Sequence, residues 1–112
     1  MIFDLSQLLR GTLEGCILKI ISMKTTYGYE IQRSLRSYGF QDVAEGTIYP
    51  LLLRLEKQGH ITSQFLHSPL GPKRKYYSIT PSGLKYLESF IACWNEVDSA
   101  VTNVLSEKED DQ

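Results

Sequence analysis

The sequence has little to offer catalysis, redox control or membranes. Its two cysteines, Cys16 and Cys93, stand far apart and outside any Cys-x-x-Cys pair. Two small hydrophobes are expected there, not a disulfide or a thiol switch. His60 and His67 flank a short alternating stretch with no carboxylate or thiol at metal-ligand spacing, so no metal centre and no cofactor are expected. No Ser or Cys has a base partner in a recognisable motif, and no Gly-rich phosphate cradle occurs, which argues against an enzyme. No apolar run approaches the ~20 residues of a membrane span. The N-terminus carries Asp4 and no leading Lys or Arg, so no signal peptide is expected and the cytoplasm is the expected compartment.

Acid is missing over one long stretch: none lies between Lys57 and Lys85. The net charge of −1 hides this segregation. Residues 96–112 hold six acids against one base, whereas residues 1–95 hold eleven bases against seven acids. A chain of slightly negative total can therefore still present a basic surface to a polyanion.

At 112 residues the chain is long enough for one real core. Its organising stretch is 45–59. Ile48, Leu51, Leu52 and Leu55 recur at i, i+3, i+4 and i+7, one face of an α-helix. The opposite face carries Gly46, Pro50, Leu53 and Lys57, flanked by Tyr49 and Arg54. A helix without a partner intersperses Glu and Lys; this face instead has a small residue, a phenol and cations, which suits a phosphate backbone. Pro50 is harmless if the helix starts near Thr47, and predicts an irregular first turn if it starts nearer Glu45. Gly59 is the expected stop.

Residues 4–23 read as one helix, apolar nearly all round from Leu13, with Gly11 and Gly15 on one face for the close approach of another helix or a ligand. A second helix over 27–37, capped by Thr25 or Thr26, is expected to bury Tyr27, Ile31, Leu35 and Tyr38. A loop over 39–44 follows. Residues 60–67 and 73–80 alternate about a turn at 68–72, which predicts a two-stranded β-hairpin with Lys73, Arg74 and Lys75 near its tip. Thr80 and Pro81 then start a last helix. In it Leu84, Leu87, Ile91, Trp94, Asp98, Val101 and Leu105 step by 3 and 4, with Phe90, Val97 and Val104 beside them. Such a rod, about 39 Å long, has more apolar face than one small domain can cover. A second copy of the chain is the simplest cover.

The fold class expected is therefore mostly α with a two-stranded β-wing: a winged helix-turn-helix over 1–79, a dimerisation helix over 80–106 and an acidic frayed tail over 107–112. The helix over 4–23 is expected to contribute to the dimer as well.

Five ordered blocks carry a family resemblance. They are Arg10-Gly11-Thr12-Leu13-Glu14, Tyr27-Gly28-Tyr29-Glu30, Glu45-Gly46-Thr47-Ile48-Tyr49-Pro50-Leu51-Leu52, Arg54-Leu55-Glu56-Lys57-Gln58-Gly59 and Gly71-Pro72-Lys73-Arg74-Lys75-Tyr76-Tyr77. Together they resemble the PadR family of bacterial transcriptional regulators, in its compact form with a single C-terminal helix. The resemblance implies a homodimeric repressor of double-stranded DNA whose two reading helices meet an inverted-repeat operator. Carried over by position, the implied DNA-binding residues are Tyr27, Tyr29, Gly46, Thr47, Tyr49, Pro50 and Arg54 with the wing residues Lys73, Arg74 and Lys75. The implied dimer interface is Leu84, Leu87, Phe90, Ile91, Trp94, Val97, Val101 and Leu105.

Multidrug-sensing members of that family place a tryptophan at the position of Trp94 in a pore at the dimer axis. By that likeness an effector pocket is expected from Leu8, Gly11, Gly15, Lys19, Ile91, Trp94 and Asp98. The residues say something similar by themselves: a lone Trp in an apolar seam, one turn from a carboxylate, suits a planar aromatic cation. Plain packing of Trp94 against a partner is the competing reading. A second class of function also stays open, in which the basic face docks an acidic protein and binds no DNA.

Overall fold

The helix expected over 4–23 is two helices. In the computed structural model, which describes residues 2–68 and 70–107, α1 (Leu5–Leu9) is capped by Asp4, whose carboxylate accepts from the Ser6 N–H at 3.1 Å. The chain turns a corner at Gly11, φ +81°, before α2 (Thr12–Met23). Positive φ is the left-handed region that glycine enters without a Cβ clash, so Gly11 breaks the helix outright. Gly15 keeps its expected use: the Phe90 ring lies where its Cβ would be, and the last helix packs there at close range.

Thr25 and Thr26, expected as caps, do not cap a helix. Thr26–Tyr27 form a short strand, β1, and α3 (Gly28–Ser37) starts after Tyr27 with no side-chain cap. The threonine hydroxyls are used elsewhere: Thr25 pairs with Ser78 at 2.8 Å, and buried Thr26 donates to the Glu30 carboxylate. Gly39, φ +119°, then reverses the chain, its N–H bonding Arg36 O at 3.0 Å while that of Phe40 bonds Leu35 O at 2.9 Å. This Schellman closure turns Phe40 back against the core. Tyr38, expected inside, is left 69% exposed.

The same closure ends α4 (Glu45–Lys57): Gly59, φ +81°, bonds Glu56 O and His60 bonds Leu55 O, at 3.0 and 2.9 Å. Because α4 starts at Glu45, Pro50 is interior and removes the N–H that Gly46 O would have received. The first turn shows the expected irregularity. Thr47 bonds Ala44 O in 3₁₀ fashion at 3.0 Å, and Ile48 reaches the same oxygen at 3.3 Å.

Strands β2 (Ile61–Ser68) and β3 (Gly71–Ile79) pair antiparallel, with Ile61 opposite Ile79 and Phe65 opposite Lys75. This hairpin is the two-stranded wing, and a third, short strand joins it at its base. Thr26 and Tyr27 pair with Tyr77 and Tyr76, giving a three-stranded sheet of order β1-β3-β2. Two residues are too short to show alternation, which is why the pattern missed this strand. Helix α5 (Pro81–Leu105) is capped by Thr80, whose hydroxyl accepts from the Gly83 N–H at 3.0 Å. Pro69 of the turn and residues 108–112 of the expected acidic tail lie outside the described residues.

Ile17, Leu18 and Ile21 of α2, Ile31 and Leu35 of α3, Ile48, Leu52 and Leu55 of α4, and Ile61 of β2 are fully buried together. Nothing comparable covers α5. Only Gly83 and Leu87 are buried on it, and every side chain from Ile91 to Leu105 is exposed. The molecule measures 67 × 32 × 20 Å, far longer than it is thick. No helix among the described residues is long and apolar enough to cross a membrane.

Candidate nucleic-acid interface

Helix α4 is held by one face and leaves the other free. With Ile48, Leu52 and Leu55 buried, Gly46, Pro50, Leu53 and Lys57 form an exposed crest. A Cβ on Gly46 would meet nothing within 4 Å, so its absence opens the crest toward something outside the molecule. On one side of the crest lies the wing, and on the other the corner between α1 and α2. Each side has its own cleft.

The wing-side cleft, about 570 Å³, is lined by Tyr27, Gly28, Tyr29, Tyr49, Leu53, Glu56, Lys73, Arg74, Lys75 and Tyr77. Six of the ten expected DNA-binding residues therefore converge here. Gly28 explains how Tyr49 is placed: the phenol lies across the first turn of α3, and a Cβ on Gly28 would stand 2.6 Å from the Tyr49 hydroxyl. Arg74 sits 4.6 Å above the Tyr27 ring, which meets the Tyr76 ring edge-on at 5.2 Å. That cation–π contact holds the Arg74 charge over the ring. Lys75 is tied back to the Glu56 carboxylate at 3.4 Å, and Ser63 donates to the same carboxylate. Of the three wing cations, Lys73 and Arg74 are the more exposed and Lys75 is partly engaged. Burial, with Glu56 and Tyr49 nearby, pushes the Tyr77 phenol above its ordinary pKa, so it stays neutral beside these cations.

Thr47 and Arg54 fall on the opposite flank of α4, facing Arg10 and Gly11 across a cleft of about 370 Å³. Arg54 Nε lies 3.3 Å from Oε2 of Glu14. Glu14 is only 5% exposed, and that oxygen makes no hydrogen bond, since the guanidinium approaches off the N–H line. Its other oxygen accepts weakly from the Tyr86 hydroxyl at 3.5 Å. Glu14 and Glu56 are partners that the sequence pattern does not reveal. An acid at the start of an otherwise apolar helix was the available signal for Glu14; nothing local marked Glu56.

The expected effector residues do not share one pocket. Gly15, Lys19 and Ile91 line an apolar cleft of about 410 Å³ with Cys16, Leu35, Phe40 and Phe90. Leu8 and Trp94 line a neighbouring one of about 390 Å³, and Gly11 belongs to the Arg54 side. Asp98 borders neither cleft, and its carboxylate accepts from the Thr102 hydroxyl at 3.4 Å. Burial raises the pKa of the Cys16 thiol, which keeps it protonated and inert.

At the foot of the wing, Glu30 is held below its ordinary pKa of 4.5, first by the Thr26 hydroxyl bond and then by Lys24 and Arg33, against some burial. A carboxylate depressed in the folded state stabilises fully above its unfolded pKa, and that stabilisation is lost as pH falls through the folded value. Thr26→Val is expected to move the Glu30 titration up toward 4.5. Its acid unfolding should then begin at higher pH than wild type, as followed by carboxyl NMR and circular dichroism.

The chain as a whole has solved counterparts. Residues 17–89 match the transcriptional regulator PadR-like family. The chain belongs to that family. A PadR-like transcriptional regulator from Bacillus cereus is 51% identical, with 91% of this chain and 99% of that one covered and a TM-score of 0.82. A Streptococcus transcriptional regulator is 42% identical, with 89% and 98% covered and a TM-score of 0.80. A PadR family regulator from Eggerthella lenta is 33% identical, with 93% and 90% covered and a TM-score of 0.81. As a PadR-like regulator with a winged-helix type of fold, the chain acts by DNA-binding regulation.

Proposed function

We propose that this PadR-like chain is a homodimeric repressor, acting in the cytoplasm, that pairs through α5 and is released by a planar aromatic effector at the dimer interface. The carrying observation is the helix α5 itself. Ile91, Trp94, Val97, Val101 and Leu105 are 41%, 45%, 52%, 47% and 79% exposed, a stripe that one protomer leaves uncovered. Apolar surface on this scale is stabilised by a mate. Leu87 is taken up inside the protomer and Phe90 packs on Gly15, so the proposed interface begins in earnest at Ile91, with Leu84 (47% exposed) at its near end. The uncovered α1 residues Leu5 and Leu8, 60% and 62% exposed, extend it.

Twofold pairing through such a rod sets two α4 helices on one side of the assembly. The proposed operator is an inverted repeat with half-sites about one DNA turn, ~34–36 Å, apart. Tyr27, Tyr29, Gly46, Thr47, Tyr49, Pro50 and Arg54 would meet one half-site, and Lys73, Arg74 and Lys75 its flanking backbone. A gel shift on the DNA upstream of the chain's own coding region, with sedimentation to count protomers, tests this directly. A retarded dimer is the expected result. A chain that binds acidic protein and no duplex would instead be a docking adaptor.

The effector part rests on Trp94. The cleft beside it is lined by Leu5, Leu8, Leu9, Thr12, Cys16, Phe40 and Phe90, walls suited to a flat aromatic molecule. Titration with a planar aromatic cation is expected to quench Trp94 fluorescence to a plateau and to weaken the gel shift. A linear, unsaturable response would remove the effector from the proposal.

A further inference from the structure

We propose that the cleft between the α1–α2 corner and α4 is a second site for DNA backbone phosphate, in which Arg10 and Arg54 receive the strand and buried Glu14 holds Arg54 in position. The inference rests on the DNA-binding reading above and adds residues to it on the flank away from the wing.

Three observations support it. The first is composition: Arg10 and Arg54 line one cleft together with Ser6 and Thr47, two cations and two hydroxyls against the single acid Asp42. The second is access. Gly11 and Gly46, on the corner and on the crest, have nothing within 4 Å of where a Cβ would stand, so a sugar-phosphate strand can come close to both backbones. The third is the pair behind Arg54. Glu14 Oε2 stands 3.3 Å from Arg54 Nε as an ion pair without a hydrogen bond, so this contact spends none of the guanidinium donors and leaves them for another acceptor.

That pair makes little sense as a device for stability. Arg54 is 62% exposed, so water screens most of the attraction, while the Glu14 carboxylate bears the desolvation of a 6% exposed side chain. An acid buried behind an exposed arginine does, however, fix which way the arginine points. The wing has a looser counterpart in Lys75 and Glu56, 37% and 31% exposed, and each acid leaves further cations unengaged by it, Lys73 and Arg74 on one side and Arg10 on the other. The crest of α4 thus lies between two cationic flanks, as it must if a groove with a phosphate strand on each lip is to close over it.

The test uses the full chain and a random-sequence duplex of ~30 base pairs, with affinity followed as salt is raised. Arg10→Gln is expected to flatten the salt slope by about one unit per protomer, and Arg10→Lys to restore most of it. Lys85→Gln, on exposed α5 away from both clefts, is the control for loss of a remote charge. Glu14→Gln separates positioning from simple electrostatics. Removing an acid near DNA would by itself tighten binding, whereas loss of a positioning residue weakens it, by roughly threefold or more. An unchanged circular-dichroism melt of Glu14→Gln checks that its effect is not a folding defect, and Tyr86→Phe, which removes only a hydroxyl 3.5 Å from Glu14, is expected to bind like wild type. A wild-type chain that ignores every duplex would sink the DNA-binding reading itself. Wild-type binding with an Arg10→Gln slope no flatter than that of Lys85→Gln overturns the second site alone. Tighter binding by Glu14→Gln overturns the positioning role.

Discussion

Gly83→Ala is expected to destabilise the chain by about 2 kcal/mol net, although alanine is the better helix former. The reason is the neighbour. A Cβ at position 83 would overlap the main-chain carbonyl oxygen of His60, and Ile79 Cγ1 would be only 2.7 Å away. Backbone stands on both sides of the clash, so no side chain can swing clear. The same turn is tied to α5 three more times. Thr80 N–H donates to His60 O at 3.1 Å, its hydroxyl donates to Gly59 O at 2.7 Å, and Ser82 Oγ lies 3.0 Å from His60 Nδ1. Over these bonds the His60 ring stacks on Tyr86 at 4.2 Å. Pushing α5 away from the turn strains all of them together. For a domain of this size that corresponds to a fall in melting temperature of roughly 10 °C. Gly46→Ala is the matched contrast, since its Cβ meets nothing. It is expected to melt at the same temperature or slightly higher, yet to bind DNA less well because it fills the open crest. Equal melting temperatures for the two variants would show that the α5 junction yields more easily than its bonds imply.

Much of the architecture could be read from spacing because the elements that matter are long and one-sided. Ile48, Leu52 and Leu55 announced α4, and all three are fully buried. The Thr80-Pro81 start of α5 was equally legible, since capping is chemistry within one turn. What escaped depends on contacts between distant residues. Strand β1 exists because Thr26 and Tyr27 find Tyr77 and Tyr76, about fifty positions onward. Tyr38 looked like the next residue of an apolar stripe, but Gly39 reversed the chain and gave Phe40 its place beside the core. Gly11 has the spacing of a helix-packing glycine, like Gly15, whereas its backbone is a corner, a distinction that composition cannot make.

The candidate site divides the same way. The cations of the wing and the phenols of the second and third blocks stood out by type and order. Their division of labour did not, because Glu56 and Glu14 act across the fold. Only coordinates show that Tyr49 owes its position to the missing side chain of Gly28, or that Arg54 turns toward α2 and not toward the wing.

That division of labour yields the largest expected change in DNA binding. On the proposed reading, replacing Lys73 and Arg74 with glutamine lowers affinity across all sequences and flattens the salt slope by up to ~2 units per protomer. The cause is counterion release: each cation that neutralises a phosphate contributes about 0.9 to the slope. Lys75→Gln should do clearly less than Lys73→Gln, because Lys75 is already compensated by Glu56 at 3.4 Å. Glu56→Gln is expected to act in the opposite sense, freeing Lys75 for phosphate and steepening the slope by up to about one unit. Arg74→Lys falls between. It keeps the charge and loses the guanidinium contact over Tyr27 at 4.6 Å, so the slope persists while affinity drops. If the Lys73/Arg74 double variant kept the wild-type slope, the wing would be clear of the phosphates, and its contacts with Tyr27 and Glu56 would serve the wing's own structure alone.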